Sequence, residues 1–242
     1  MRVAVISDIH ANLPALKAVL AAIALESTDE IWCLGDLVGY GPHPNECVAA
    51  VEGRADICLA GNHDLGVLGT LPLDEFSLDA AAAAEWSQSV LEADTRAFLE
   101  ALTPRARRDE AELFHASARD PVWEYVLTQE SAAETLALTH TPLVLVGHSH
   151  VALAITTRDN GVAGSLAPDG WEVELPERRW LLNPGSVGQP RDRDPRAAWL
   201  MIDFDAGRAE FRRVAYPVEE TQAAIRARGL PDALAARLEI GE

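Results

Sequence analysis

The sequence predicts an α/β fold: a mostly parallel β-sheet with helices on its faces and a more antiparallel edge. Three observations predict it. Short apolar runs alternate with helical periods over the first sixty residues, which is the strand–helix–strand signature of parallel pairing. After residue 150 the chain changes to short strands punctuated by turn signals, as in antiparallel pairing. No repeat, linker or low-complexity tract interrupts the 242 residues, a length that suits one large core. One domain over 1–242 is expected.

The elements follow in order. "RVAVI" (2–6) is an apolar strand. Helix 14–26 repeats Leu16, Val19, Leu20, Ile23 and Ala24 at helical spacing, with Pro14 in its first turn. "EIWCLG" (30–35) is a second strand, followed by the loop "GYGPHPN" (39–45) and a helix from about 45 to 53. "DICLAG" (56–61) is a third strand. Residues 77–102 turn helical until Pro104, so 66–108 reads as a helical insertion that covers the mouth of a site or extends the helical layer. "AELFHA" (111–116) is strand-like, and 120–129 is expected as a helix, with Asp120 as cap and Pro121 at its first position. "LVLVG" (143–147) is a strand. Strands within 152–157, 171–176, 179–185, 198–204 and 209–216 then alternate with turn signals at 159–161, 168–170 and 205–207, and two helices close the chain.

Composition narrows the function. Hydrophobic residues at 48% and charged ones at 24% describe a water-soluble globular chain. No apolar run approaches a membrane span, and four apolar residues before Ser7 and Asp8 are too few for a signal peptide, so a cytoplasmic protein is expected. Cys33, Cys47 and Cys58 form no CxxC, and no disulfide is expected. The net charge of −18, from 20 basic and 38 acidic side chains, opposes extended nucleic-acid binding. It leaves room for a small phosphorylated substrate, because bound divalent metals reverse the local field.

Five strands end in the same chemistry. Asp8 and His10 follow the first, Asp36 the second, and Asn62, His63 and Asp64 the third; His115 ends "ELFH", and His148 and His150 follow "LVLVG". Open α/β sheets bind ligands outside the carboxyl ends of their strands. Singly, each residue has an ordinary explanation: Asp36 and Asn62 as turn residues, His63 and Asp64 as a surface pair, His115 as a satisfied strand end. Their shared location favours a metal site. Carboxylates, imidazoles and one amide without a thiolate suit Mn, Fe, Zn, Co or Ni rather than a calcium cage. The inventory is enough for two ions, with Asp36 as the bridging carboxylate. Such a pair lowers the pKa of a bound water and holds a phosphoryl oxygen. His43 lies close enough in the chain to reach a substrate. Arg191 reads equally as a fork donor to phosphate or as a surface partner for an acid. His140 belongs to the opposite edge.

"DIH" (8–10), "GDLVGYGP" (35–42), "GNHD" (61–64), His115 and "GHSH" (147–150) together resemble the calcineurin-like metallophosphoesterase superfamily. "NPGSVGQPRDRDPRAAWLMID" (183–203) is similar to the closing part of its small bacterial branch, of YfcE-type phosphodiesterases and diadenosine tetraphosphatase-like proteins. The resemblance implies a four-layer α/β/β/α sandwich of two mixed sheets flanked by helices. It implies two divalent metal ions, manganese foremost: Asp8, His10, Asp36 and His150 on one, and Asp36, Asn62, His115 and His148 on the other. It implies that a hydroxide bridging the metals attacks phosphorus, with His63 as general acid and Asp64 orienting its ring. Ser149 replaces the usual threonine and keeps the hydroxyl. The implied activity is hydrolysis of small or nucleotide-like phosphoesters, monoester or diester. A Ser/Thr protein phosphatase-like phosphomonoesterase, a nuclease and a non-catalytic metal-binding scaffold are the alternatives. Oligomeric state is not legible.

Overall fold

The computed structural model describes residues 1–158, 161–175 and 178–242. Strand β1 (Arg2–Ile6) leads through α1 (Leu13–Ala24) to β2 (Glu30–Cys33), and α2 (Pro44–Glu52) leads to the two-residue β3 (Ile57–Cys58). Helices α3 (Asn62–Leu68), α4 (Leu78–Val90) and α5 (Ala93–Glu100) follow, then β4 (Arg105–Arg108), β5 (Ala111–Phe114), α6 (Gln129–Leu138) and β6 (Leu143–Leu145). The rest is β7 (Ala152–Arg158), β8 (Gly161–Leu166), β9 (Glu172–Glu174), β10 (Trp180–Pro184), β11 (Ala197–Asp203), β12 (Arg208–Val214), α7 (Val218–Ala227) and α8 (Asp232–Ala236).

These strands form two six-stranded sheets among the described residues, ordered β3-β2-β1-β11-β12-β9 and β4-β5-β6-β10-β7-β8. Both are mixed. Strands β1, β2 and β3 pair in parallel, while β11 joins β1 antiparallel. Likewise β5, β6 and β10 are parallel, while β4 and β7 flank them antiparallel. Alternation along the strands sets the layers, because successive side chains point to opposite faces. Val3 and Val5 pack between the sheets with Leu113, Leu145, Leu182 and Leu200. Ala4 and Ile6 face the other way, onto Leu16, Val19 and Val48 of the helices. In the second sheet Val144 and Val146 turn outward onto Ala132 and Leu136 of α6. The result is helix, sheet, sheet, helix.

Several expectations change. The single sheet with an edge becomes two sheets, because β11, β12 and β9 extend one while β10, β7 and β8 extend the other. The expected helix over 120–129 does not form. Asp120 Oδ1 accepts from the backbone N–H of Val122 and Trp123, closing a turn that goes no further. Helix α6 starts instead behind a Thr128–Ser131 capping box. Residues 105–108, expected as the end of the helical insertion, are strand β4, whose register aligns Arg105 with Phe114. Helix 77–102 is two helices, since Leu91 and Glu92 adopt extended ψ values. Of the turn expected at 159–161, Asp159 and Asn160 lie outside the described residues, as does Pro176 at the end of 171–176. No helix of the described residues is long and apolar enough to cross a membrane.

Candidate metal centre

The parallel strands β1, β2 and β3 end at one rim, and β5 and β6 reach the same rim from the second sheet. Beyond each strand the backbone bends sharply. Asp8, His10, Asp36, His148 and His150 all have positive φ, between 48° and 62°. That left-handed conformation is unfavourable for residues with a Cβ and collects at functional sites. Gly61 completes the turn at Asn62: a Cβ there would lie 2.0 Å from Asp36 Oδ1.

Asp8, His10, Asp36, Asn62, His63, His115, His148 and His150 are each no more than 4% exposed. They gather into two groups able to hold a metal ion: Asp8, His10, Asp36 and His150, and Asp36, His115 and His148. Asp36 belongs to both. Its Oδ2 lies 3.5 Å from His10 Nε2 and 3.5 Å from His115 Nε2, and it is buried with no hydrogen-bond partner. Its Oδ1 accepts from His63 N. Asn62 Oδ1 lies 3.2 Å from His115 Nε2, which adds the amide to the second group.

The imidazoles are fixed by their outer nitrogens. His10 Nδ1 donates to Val38 O, His115 Nδ1 to Leu34 O and His150 Nδ1 to Gln189 O, at 3.1, 2.9 and 2.7 Å. Each therefore turns an unprotonated Nε2 inward. His148 reverses the assignment: its Nε2 donates to Trp123 O, which leaves Nδ1 as the free lone pair. His10 Nε2 and His150 Nε2 then face one another at 3.0 Å as two lone pairs. A cation between or beside them would relieve that contact. The donor set fits a borderline divalent ion.

Electrostatics agree. Burial, and then neighbouring cationic groups, lower the pKa of His10, His148 and His150 well below the ordinary imidazole value. These imidazoles are neutral, as metal binding would require. Burial pushes Asp8 up to about 7, with the Asp36 charge adding to the shift. Asp36 is raised well above the carboxylate range, by burial first and then by Asp64. Ionising carboxylates this close needs nearby positive charge, which a divalent cation would supply.

The remaining expectations fall out variously. His63 lies beside the cluster, 4.8 Å from His10 and 4.3 Å from Tyr40 between ring centroids. Asp64 does not orient it: among the described residues no hydrogen bond joins them, and His63 Nδ1 is without a partner. The Asp64 carboxylate instead accepts from Asp36 N, Leu37 N, Val38 N and Gly61 N, at 2.8 to 3.1 Å. It holds the Asp36 loop against the start of α3. Arg191 does reach the site; it donates to Tyr40 Oη and Gln189 Oε1, and its buried Nε has no partner. His43 opens onto a different cleft, of about 540 Å³, with Lys17 of α1 and Glu220 of α7. Sequence reasoning missed Asn183 and Ser186. Asn183 Nδ2 donates to Gly147 O and Ser149 Oγ, and Ser186 Oγ donates to Asp8 O. The only signal for them was the "NPGS" run.

The chain matches the calcineurin-like phosphoesterase superfamily domain over residues 1–207. It belongs to that superfamily. Among solved structures, a metallophosphoesterase from Sphaerobacter thermophilus is 41% identical, with a TM-score of 0.90, over 100% of this chain and 99% of that one. An uncharacterized protein of Methanocaldococcus jannaschii, MJ0912, is 36% identical over 99% of this chain and 98% of its own length. A symmetrical bis(5'-nucleosyl)-tetraphosphatase of Thioalkalivibrio sulfidiphilus is 28% identical over 55% of this chain and 51% of its own. In this calcineurin-like phosphoesterase the strand-end cluster is therefore the place to look for the chemistry.

Proposed function

We propose that the protein hydrolyses small or nucleotide-like phosphate esters with two divalent cations, manganese foremost. The observation that carries this reading is the Asp36 carboxylate, buried and unpartnered at Oδ2 between two groups of imidazoles. Asp8, His10, Asp36 and His150 would hold one cation, and Asp36, Asn62, His115 and His148 the other. When bound, such ions supply Lewis acidity toward a phosphoryl oxygen and lower the pKa of water.

The chain's own groups do the rest. Arg191 binds a non-bridging phosphate oxygen with its free N–H groups. His63 holds a proton for the departing oxygen. Burial, and then Arg191 and His115, keep its pKa well below the ordinary value in the free protein, so the negative charge of the arriving phosphate ester, not Asp64, is the counter-charge that favours protonation. The similarity to a symmetrical bis(5'-nucleosyl)-tetraphosphatase supports nucleotide-like substrates, and the charge of −18 weighs against a nuclease.

The test is a substrate panel of p-nitrophenyl phosphate, its bis ester and a dinucleoside tetraphosphate, assayed with Mn, Co, Ni, Zn or Fe. Metal-dependent turnover, abolished by a chelator and restored by metal, is expected. Full metal occupancy with no turnover on any ester would make the protein a scaffold instead.

A further inference from the structure

Aromatic rings line one side of the metal cluster. Phe76, just before α4, stands edge-on to His63 at 5.0 Å and to Trp123 at 5.0 Å between centroids. Tyr125 stacks on His148 at 4.1 Å and an interplanar angle of 20°, yet is 47% exposed. One face of its ring lies on a candidate metal ligand while the residue keeps nearly half its surface for solvent.

The segment that carries Trp123 and Tyr125 is pinned in place. Trp123 O accepts from His148 Nε2, and Val126 is buried among Phe114, Val146 and Leu136. Its one carboxylate, Glu124, is drawn aside to Ser117 and Arg119. An incoming anion therefore meets aromatic surface on this side, which Phe76 joins to His63.

We propose that Tyr125 and Trp123 form a subsite for the leaving group of the substrate, and that this group is a planar aromatic ring, aryl or nucleobase. The proposal rests on the hydrolase reading and narrows it. Ring-on-ring contact gives affinity beyond the area buried, and one such contact corresponds to about a tenfold gain. An alkyl ester has no face to stack and forgoes it.

The test is equilibrium binding of phenylphosphonate and methylphosphonate to the manganese-loaded protein, which needs no turnover. Phenylphosphonate is expected to bind about tenfold more tightly. In Tyr125→Ala and Trp123→Ala the preference is expected to shrink to about twofold, with methylphosphonate affinity and metal content unchanged, while Tyr125→Phe keeps it. A merely structural role would weaken both ligands together. Equal binding of the two phosphonates by the native protein, or an undiminished preference in both alanine variants, overturns the subsite and leaves the hydrolase reading standing. Failure of the loaded protein to bind either one overturns both.

Discussion

Strand β6 meets polar groups at both of its ends and treats them in opposite ways. Where it begins, Glu112 and Arg179 both find partners. Glu112 Oε2 accepts from His140 N, Thr141 N and Thr141 Oγ1, at 2.8 to 3.2 Å. The Arg179 guanidinium donates to Leu136 O, Thr139 O and Thr141 O. Although partial burial works against it, the His140 and Thr141 donors hold the Glu112 carboxyl below its ordinary value. Where β6 ends, His148 and His150 take left-handed backbone angles, lone pairs face lone pairs, and Asp8 and Asp36 are pushed upward. A folded chain keeps unsatisfied polarity and strain only where something else completes them. The entrance is finished by protein, and the exit is left in the state that the proposed metal site would complete.

The largest way to break this comparison is Asp36→Ala. It removes the carboxylate both groups share, so turnover is expected to fall by about 10³-fold or more. Steady-state kinetics with saturating manganese checks it. His63→Ala is expected to cost about 10²- to 10³-fold in kcat with metal content unchanged; unchanged activity would remove His63 from the reaction. At the entrance the outcome reverses. Arg179→Ala strips donors from three carbonyls and is expected to lower stability by about 2–3 kcal/mol, while metal affinity stays as it was. Denaturant unfolding and metal titration on the same variant separate the two effects.

The smallest effect is a matter of protons. In the metal-free chain burial holds Asp8 up at about 7 and Asp36 well above the carboxylate range, so in mildly acidic solution an incoming cation must displace protons. His10, His148 and His150, held neutral by burial, release none. Calorimetry at pH 6 in buffers of different ionisation enthalpy should show at least about one proton released per chain, with less at pH 8. No buffer dependence at pH 6 would mean that the two carboxylates are already ionised.

Much of the exit was legible because its residue types are unusual there: Asp, Asn and His at five strand ends are hard to explain by packing. The left-handed angles were not legible, since nothing in Asp8 or His150 announces positive φ as a glycine would. Nor was Asp64, whose place beside His63 in "GNHD" points to a partnership that the start of α3 forbids. Side chains of neighbouring helical residues diverge, and Asp64 turns back to cap its own helix. The apolar runs of β1, β2, β10 and β11 were visible, but the sorting into two sheets rests on pairings such as Val3 with Ile202. Such contacts leave no local trace. The segment 120–129 misled because Asp120 and Pro121 open a turn as readily as a helix, and Trp123 and Tyr125 are held at the site rather than in a helical face.

The most direct test is an anomalous-scattering map from crystals soaked in manganese. Two peaks about 3.5–4 Å apart, both beside Asp36 Oδ2, one ringed by Asp8, His10 and His150 and the other by Asn62, His115 and His148, are the predicted result. A single peak away from Asp36, or density for ions elsewhere with this cluster empty, would contradict it.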